Sequence, residues 1–278
     1  MSAEHPLAGR SVLVTRAQGA AAGELAGLLR ARGADAIELP AIAIVDPPDW
    51  GPCDRAIEHL EDYEWLVFTS RNAVDRLLDR CERLGRPRLA TFEGVVAAIG
   101  HMTATHLGDR GVPVICLPAD AGRARAEGFL DAFDALAAGT SGYAGARMLL
   151  PRALIARETL PEGLRARGAT VDVVPVYALV GDDASIAQAI RLLRERKVDA
   201  VCFASGATAE FFFGAAESSG AVANDLLDGV CVASIGPVTS DTLRRLGQEP
   251  AVEARERSME SLVQALEEHF AAHAGGDR

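Results

Sequence analysis

A chain of 278 residues, 49% of them apolar, is long enough for roughly two domains and a sizeable core. Its formal net charge of -11 argues against a nucleic-acid backbone or an anionic membrane as partner. The 5 cysteines lack C-x-x-C spacing, so neither a disulfide framework nor a zinc site is indicated. Lys197 is the only lysine and sits in the solvated run Arg194-Glu195-Arg196-Lys197, which removes Schiff-base chemistry.

The first seven-residue run, Arg10 to Arg16, is apolar and ends at a polar turn, the pattern of a buried strand. Leu25, Leu28 and Leu29 at helical spacing predict a helix from Gly19 to Arg32, closed by Gly33. Ala36 to Val45 reads as an extended linker carrying Pro40, and Asp46 to Pro52 as a loop. Ile57 to Glu61 is read as a helix end. A strand is expected at Trp65–Thr69, then a helix from Ser70 through Leu84. Further strands are expected at Val95–Ile99 and Val112–Leu117, with helices at His101–Arg110 and Ala124–Leu136. Gly139 to Gly142 is a loop, Arg147–Leu150 a strand, and Arg152–Arg167 largely helix. Val171 to Val180 is β-branched and extended, but Pro175 argues against an ordinary central strand.

The order then repeats. A helix is predicted at Ala184–Arg196, opened by Asp182-Asp183, and a strand at Ala200–Phe203. Ser205 caps the next helix, through Phe213. Val230–Ile235 is a strand, Pro237–Leu246 a helix with Pro in its first turn, Ala251-Val252 a short strand, and Ser258–Phe270 an amphipathic helix. Strand–helix alternation throughout predicts an α/β fold with parallel sheets. Blocks recur in order at an offset of about 135. Val14-Thr15-Arg16 matches Leu150-Pro151-Arg152, and Phe68-Thr69-Ser70 matches Phe203-Ala204-Ser205. Ile99-Gly100-x-x-Thr103 matches Ile235-Gly236-x-x-Thr239. Arg32-Gly33-Ala34 matches Arg167-Gly168-Ala169. Two unrelated α/β domains would not keep this spacing, so the chain is read as an internal duplication.

These blocks, with Phe68-Thr69-Ser70-Arg71-Asn72-Ala73-Val74 and Pro175-Val176-Tyr177, resemble the uroporphyrinogen-III synthase family over nearly the whole length. The chain departs at Ser205-Gly206-Ala207, where the family often has Ser-Pro-Ser, and at Arg257-Ser258, where it has Pro-Thr. The resemblance implies two flavodoxin-like domains joined by a two-stranded ladder. Domain one would be 1–40 plus 178–278, and domain two 41–177. It also implies an enzyme, a lyase that cyclises hydroxymethylbilane with inversion of the last ring, without cofactor or metal. Tyr177 is then the candidate catalytic residue, as a phenol donor.

Thr15, Ser70, Gly100, Pro151, Ser205 and Gly236 fall at predicted C-terminal ends of strands, where helices begin and anions bind. With Arg16, Arg71 and Arg152 as cations, and with Asn72, Thr103, Gly206 and Thr239 from the same blocks, they form the candidate substrate-binding set. Backbone donors plus a few Arg let a -11 protein hold a substrate with many carboxylates. Ordinary helix capping is the structural alternative for each of them. His101 and His106 are five apart and no metal site is expected. Dinucleotide and P-loop glycine patterns are absent. With no apolar signal region and no membrane-length apolar run, the expectation is a cytoplasmic monomer. It would bind a small molecule, and neither nucleic acid nor membrane. The rivals are a hinged ligand-binding module or a regulator of the same fold. The first would carry an export signal and the second an added DNA-binding segment.

Overall fold

The computed structural model describes residues 5–16, 20–86, 89, 92–117, 126–137 and 144–273. In chain order the strands and helices are β1 Ser11–Val14, α1 Ala20–Ala31, β2 Asp35–Glu38, β3 Ile42–Val45, α2 Gly51–Glu58, β4 Trp65–Phe68 and α3 Arg71–Arg83. β5 Val95–Ile99, α4 His101–Asp109, β6 Ile115–Leu117, α5 Ala126–Ala137, β7 Arg147–Ala153, α6 Thr159–Ala166 and β8 Thr170–Gly181 follow. The chain then continues through α7 Asp183–Arg194, β9 Ala200–Phe203, α8 Gly206–Ser218, α9 Ala223–Leu226, β10 Cys231–Ser234, α10 Pro237–Arg245, β11 Val252–Glu253 and α11 Met259–His273. Among the described residues, no helix is long and apolar enough to cross a membrane.

The chain divides into two compact units, Met1–Ile44 with Val180–Arg278, and Val45–Leu179. The boundaries fall inside β3 and β8, which are neighbours in one sheet. Unit 1 holds a five-stranded sheet in the order β11-β10-β9-β1-β2, parallel at every pairing. The other sheet runs β3-β8-β7-β4-β5-β6, and its pairings from β8 to β6 are parallel. Parallel strands covered on both faces need continuous apolar runs. β4 (Trp-Leu-Val-Phe), β9 (Ala-Val-Cys-Phe) and β10 (Cys-Val-Ala-Ser) are buried along their whole length. In unit 1 the core packs β1, β9 and β10 against Leu25 and Leu29 of α1 and Leu262, Val263 and Leu266 of α11. In unit 2, Trp65, Val67, Met148 and Leu150 pack with Phe133 of α5 and Leu160 and Leu164 of α6.

The repeated Arg-Gly-Ala is a helix stop. Gly33 (φ 82°) and Gly168 (φ 91°) take the left-handed conformation that only glycine adopts freely. Their N–H groups donate to Arg30 and Arg165 carbonyls, and the following Ala34 and Ala169 N–H groups donate to Leu29 and Leu164. That pair of bonds is the Schellman closure of α1 and of α6. A strand follows directly in each sheet, β2 after Gly33 and β8 after Gly168.

Several expectations are corrected. Residues 36–45 are not one extended linker: they split at Leu39-Pro40-Ala41 into β2, in the first sheet, and β3, in the second. The loop expected through Pro52 ends at Trp50, because Pro52 opens α2 from its first turn. β7 does not stop at Leu150. It runs through Pro151 and Arg152 to Ala153, and α6 begins only at Thr159. Pro151 and Arg152 therefore lie within a strand and do not open a helix. β8 is a 12-residue strand with neighbours on both sides despite Pro175. The register explains this: Arg152 pairs with Pro175 but Ala153 pairs with Tyr177, so β8 bulges at the proline, a place a strand tolerates one. α8 continues past Phe213 to Ser218. The loop expected at Gly139–Gly142 lies outside the described residues.

Candidate functional site

In unit 2 the C-terminal ends of β4, β5 and β7, with the Tyr177 stretch of β8, form one rim. Ser70 leaves β4 in extended conformation (φ -156°, ψ 151°) and caps α3, its Oγ accepting from the Ala73 N–H at 3.2 Å. Arg71 and Asn72 follow in the first turn, half-buried and exposed respectively. Gly100 precedes α4 at φ 85°, and its carbonyl accepts the Thr103 N–H at 3.1 Å. From β8, Tyr177 places its hydroxyl 3.3 Å from Ser70 Oγ, with either oxygen able to donate. Tyr177 is 7% exposed, and its neighbours Val176 and Ala178 are buried as well. Simple alternation along β8 is lost at the bulge.

Unit 1 has its own rim, at the ends of β1, β9 and β10. Ser205 repeats the cap, with its Oγ accepting from the Thr208 N–H at 3.2 Å. Gly206 stands over Thr242 of α10: a Cβ there would lie 2.6 Å from Thr242 Oγ1, so glycine lets α8 and α10 pack. Gly236 adopts φ 153°, ψ 179° ahead of α10, and Thr239 bonds back to its carbonyl at 3.0 Å through its N–H. Thr103 and Thr239 are both buried third residues of a helix opened by glycine. Among the described residues, neither hydroxyl has a hydrogen-bond partner.

Not every predicted residue points to a rim. Thr15 is 1% exposed, and its hydroxyl donates to the Cys202 carbonyl at 2.9 Å, tying β1 to β9. Arg16 reaches Met259 Sδ at 3.8 Å. Arg152 shares a strand face with Met148 and Leu150 of the core cluster, whereas Ala153 is the residue aligned with Tyr177. Its guanidinium donates to the Arg157 carbonyl at 2.9 Å and pairs with Glu158, and its buried Nε has no partner among the described residues. Pro151 is buried between them in sequence. Of the thirteen binding candidates, Ser70 is the one whose side chain meets that of Tyr177 among the described residues.

Other chemistry is held elsewhere. His106 pairs with Asp75 at 2.8 Å, while His101 faces Thr105. Burial pushes the thiols of Cys53 to about 12, of Cys81 to about 11 and of Cys231 to about 12, so they stay protonated and unreactive. A cavity of about 590 Å³ lies along Val171–Val174, toward the opposite end of β8 from Tyr177. Its central cation, Arg147, is already bound to Asp172 at 3.0 Å and Asp62 at 3.2 Å and sits over the Tyr63 ring. Burial, and then the bond to Asp172, raise the Tyr63 hydroxyl to about 12. Sequence reasoning missed Thr242, Thr208 and this cluster. For Thr242 the only signal was the glycine at 206, whose partner lies 36 residues away (242 − 206).

The chain matches the family described as uroporphyrinogen-III synthase HemD over residues 23–264. It is 33% identical over 273 residues to the uroporphyrinogen-III synthase of Synechococcus elongatus, covering 96% of this chain and 97% of that one. The uroporphyrinogen-III synthase of Chlorobaculum parvum is 28% identical over 240 residues, covering 86% and 90%. The fold is that of a mutant uroporphyrinogen III synthase from Thermus thermophilus, with a TM-score of 0.65 at 19% identity, covering 95% of this chain and 100% of that one. The Helicobacter pylori uroporphyrinogen-III synthetase gives 0.61 at 18% identity, covering 95% and 99%. This chain belongs to the uroporphyrinogen-III synthase family.

Proposed function

We propose that the chain is a lyase that closes hydroxymethylbilane into uroporphyrinogen III, inverting the last pyrrole ring. The end-to-end likeness to relatives that carry this name carries the reading. The geometry fits the reaction's modest demands. Loss of the terminal hydroxyl leaves a resonance-stabilised azafulvene cation. The last ring attacks at its substituted carbon, the spiro intermediate fragments, and the ring rejoins inverted. Protein groups need to assist departure of the hydroxyl and hold the chain folded, a positioning task.

In this reading Tyr177 donates to the departing hydroxyl. The 3.3 Å contact with Ser70 orients the phenol beforehand. It does not ionise. Helix N-termini opened by Ser70, Gly100, Ser205 and Gly236 offer backbone N–H groups to substrate carboxylates, with Thr103 and Thr239 adding uncommitted hydroxyls. Arg71 and Asn72 in the first turn of α3 supply further donors. Thr15, Pro151, Arg152 and Gly206 serve the rims by fixing strands and helices in place. No metal or cofactor enters the scheme.

Two flavodoxin-like halves of a duplicated chain are part of the proposal. Counting unit 1 strands in chain order gives 2-1-3-4-5 for β2-β1-β9-β10-β11. Counting the other sheet from β7 gives the same order for β8-β7-β4-β5-β6. Incubation with fresh hydroxymethylbilane, then oxidation and separation of the porphyrin isomers, tests the function. Type III product is expected. Type I alone, as forms without enzyme, would refute it.

A further inference from the structure

Behind the Gly236 turn lies a hydroxyl chain that none of the site candidates includes. Ser234, the last residue of β10, and Ser240, in the first turns of α10, are both 0% exposed, and their hydroxyls lie 2.6 Å apart. Ser240 in turn donates to a carboxylate oxygen of Glu253. A carboxylate only accepts, so the direction is fixed: the Ser240 hydroxyl donates its hydrogen bond to Glu253, and its oxygen accepts from the Ser234 hydroxyl. Glu253 is on β11 directly opposite Ser234 in the parallel register, so two strand ends and one helix meet here.

The turn between them is Ile235-Gly236-Pro237-Val238-Thr239. Its backbone bonds run from the Ile235 N–H to the Phe203 carbonyl and from the Thr239 and Ser240 N–H groups to the Gly236 carbonyl, but the middle is open: Gly236 sits at φ 153° in open surroundings, Pro237 has no N–H, and Val238 is 53% exposed. The side-chain anchor of the first turn is Ser240, next in sequence to Thr239, whose hydroxyl is bonded on both sides. We propose that Glu253 is a positioning residue for the reaction. Through Ser240 and Ser234 it sets the first turn of α10, so that the Thr239 hydroxyl and the Val238 N–H meet a substrate carboxylate in one geometry. This rests on Thr239 serving as a substrate-binding residue. The contribution expected of Glu253 is an acceptor, not a charge on the substrate and not a proton.

Glutamine preserves an acceptor oxygen and alanine does not. Glu253→Ala is expected to lower kcat/KM by about tenfold, the scale of one misplaced hydrogen bond to a charged group, with KM carrying more of the change than kcat. Glu253→Gln should recover most of the loss. Ser240→Ala should match Glu253→Ala, and the double variant should be no worse than either, because the residues act as one chain. Hydrogen exchange at the Thr239 and Ser240 amides should quicken in Glu253→Ala and not in Glu253→Gln. Val263→Ala, a cavity in the same core on α11, supplies the control for mere destabilisation: it should lower Tm with kcat/KM kept. Several results would overturn the proposal. They are normal kcat/KM in Glu253→Ala, no recovery by glutamine, additive effects in the double variant, or an equal activity loss in Val263→Ala. Wild-type protein that makes no type III isomer would remove the parent reading and this one together, whereas an active wild type with an indifferent Glu253→Ala removes this one alone.

Discussion

Ser70 in unit 2 and Ser205 in unit 1 hold nearly the same backbone angles, φ -156°, ψ 151° against φ -162°, ψ 154°. Each accepts a 3.2 Å bond from the N–H three residues on. The company they keep differs. Ser70 Oγ faces the Tyr177 phenol at 3.3 Å, whereas Ser205 Oγ faces Thr208 Oγ1 at 3.4 Å, a bond within its own helix. Gly100 and Gly236 repeat the shared part of this pattern, since both open helices at positive φ and both hold a threonine three residues later. The lesson is that capping is the shared grammar of the two rims, and the phenol is what sets one apart. Under the proposed reaction, both units would bind substrate carboxylates, and unit 2 alone would assist the leaving group.

The comparison presumes that each unit is a folding unit of its own. Residues 45–179 expressed alone should unfold cooperatively, because the unit is continuous in sequence and its sheet is nearly complete within it. A fragment 1–140 should not fold, since it parts β1 and β2 from β9–β11 and β4–β6 from β7–β8. Thermal unfolding followed by circular dichroism checks both, and a cooperative 1–140 with an unfolded 45–179 would undo the division.

A second test separates binding hydroxyls from structural ones. Thr239→Ala removes a hydroxyl with no partner among the described residues, so activity should fall about 10–100-fold, the loss of a hydrogen bond to a charged group of ~1.5–3 kcal/mol. Thr15→Ala instead breaks the bond to the Cys202 carbonyl and should cost stability of about 1–2 kcal/mol with turnover kept. Steady-state kinetics and denaturant unfolding on both variants distinguish the roles; the reverse pattern would exchange them.

Gly206 gives the sharpest structural check. Gly206→Ala drives a Cβ to 2.6 Å from Thr242 Oγ1 and should destabilise by about 1–3 kcal/mol through overpacking. Adding Thr242→Ala removes the colliding oxygen and should return part of that stability. If Gly206→Ala is as stable as the wild type, the glycine is not there for α8–α10 packing.

What was legible in the sequence is what short-range chemistry decides. Apolar runs bounded by Ser or Gly located β4, β5, β9 and β10, and Ser70, Ser205 and Asp182 are caps where their neighbours said they would be. Prolines misled twice. Pro151 was read as ending a strand and Pro175 as spoiling one, because a bulge between Arg152 and Ala153 depends on a partner strand and is not written locally. Side-chain destinations were out of reach for the same reason. Thr15 bonds to Cys202 across 187 residues of chain, and Arg152 turns to the face of Leu150 rather than that of Tyr177. The four-residue helix α9 has too few residues for a period to show.

The asymmetry between the two rims is tested most directly by single-turnover kinetics on Tyr177→Phe, with isomer ratio and Tm read on the same preparation. A positioned acid contributes about 100–10,000-fold in general; this leaving group departs readily in water, so a slowing of about 10–100-fold is expected. Product made on the enzyme should stay type III, since the ring order is set by how the chain is held. A folded Tyr177→Phe protein that turns over at the normal rate would contradict the account and leave the phenol a structural partner of Ser70.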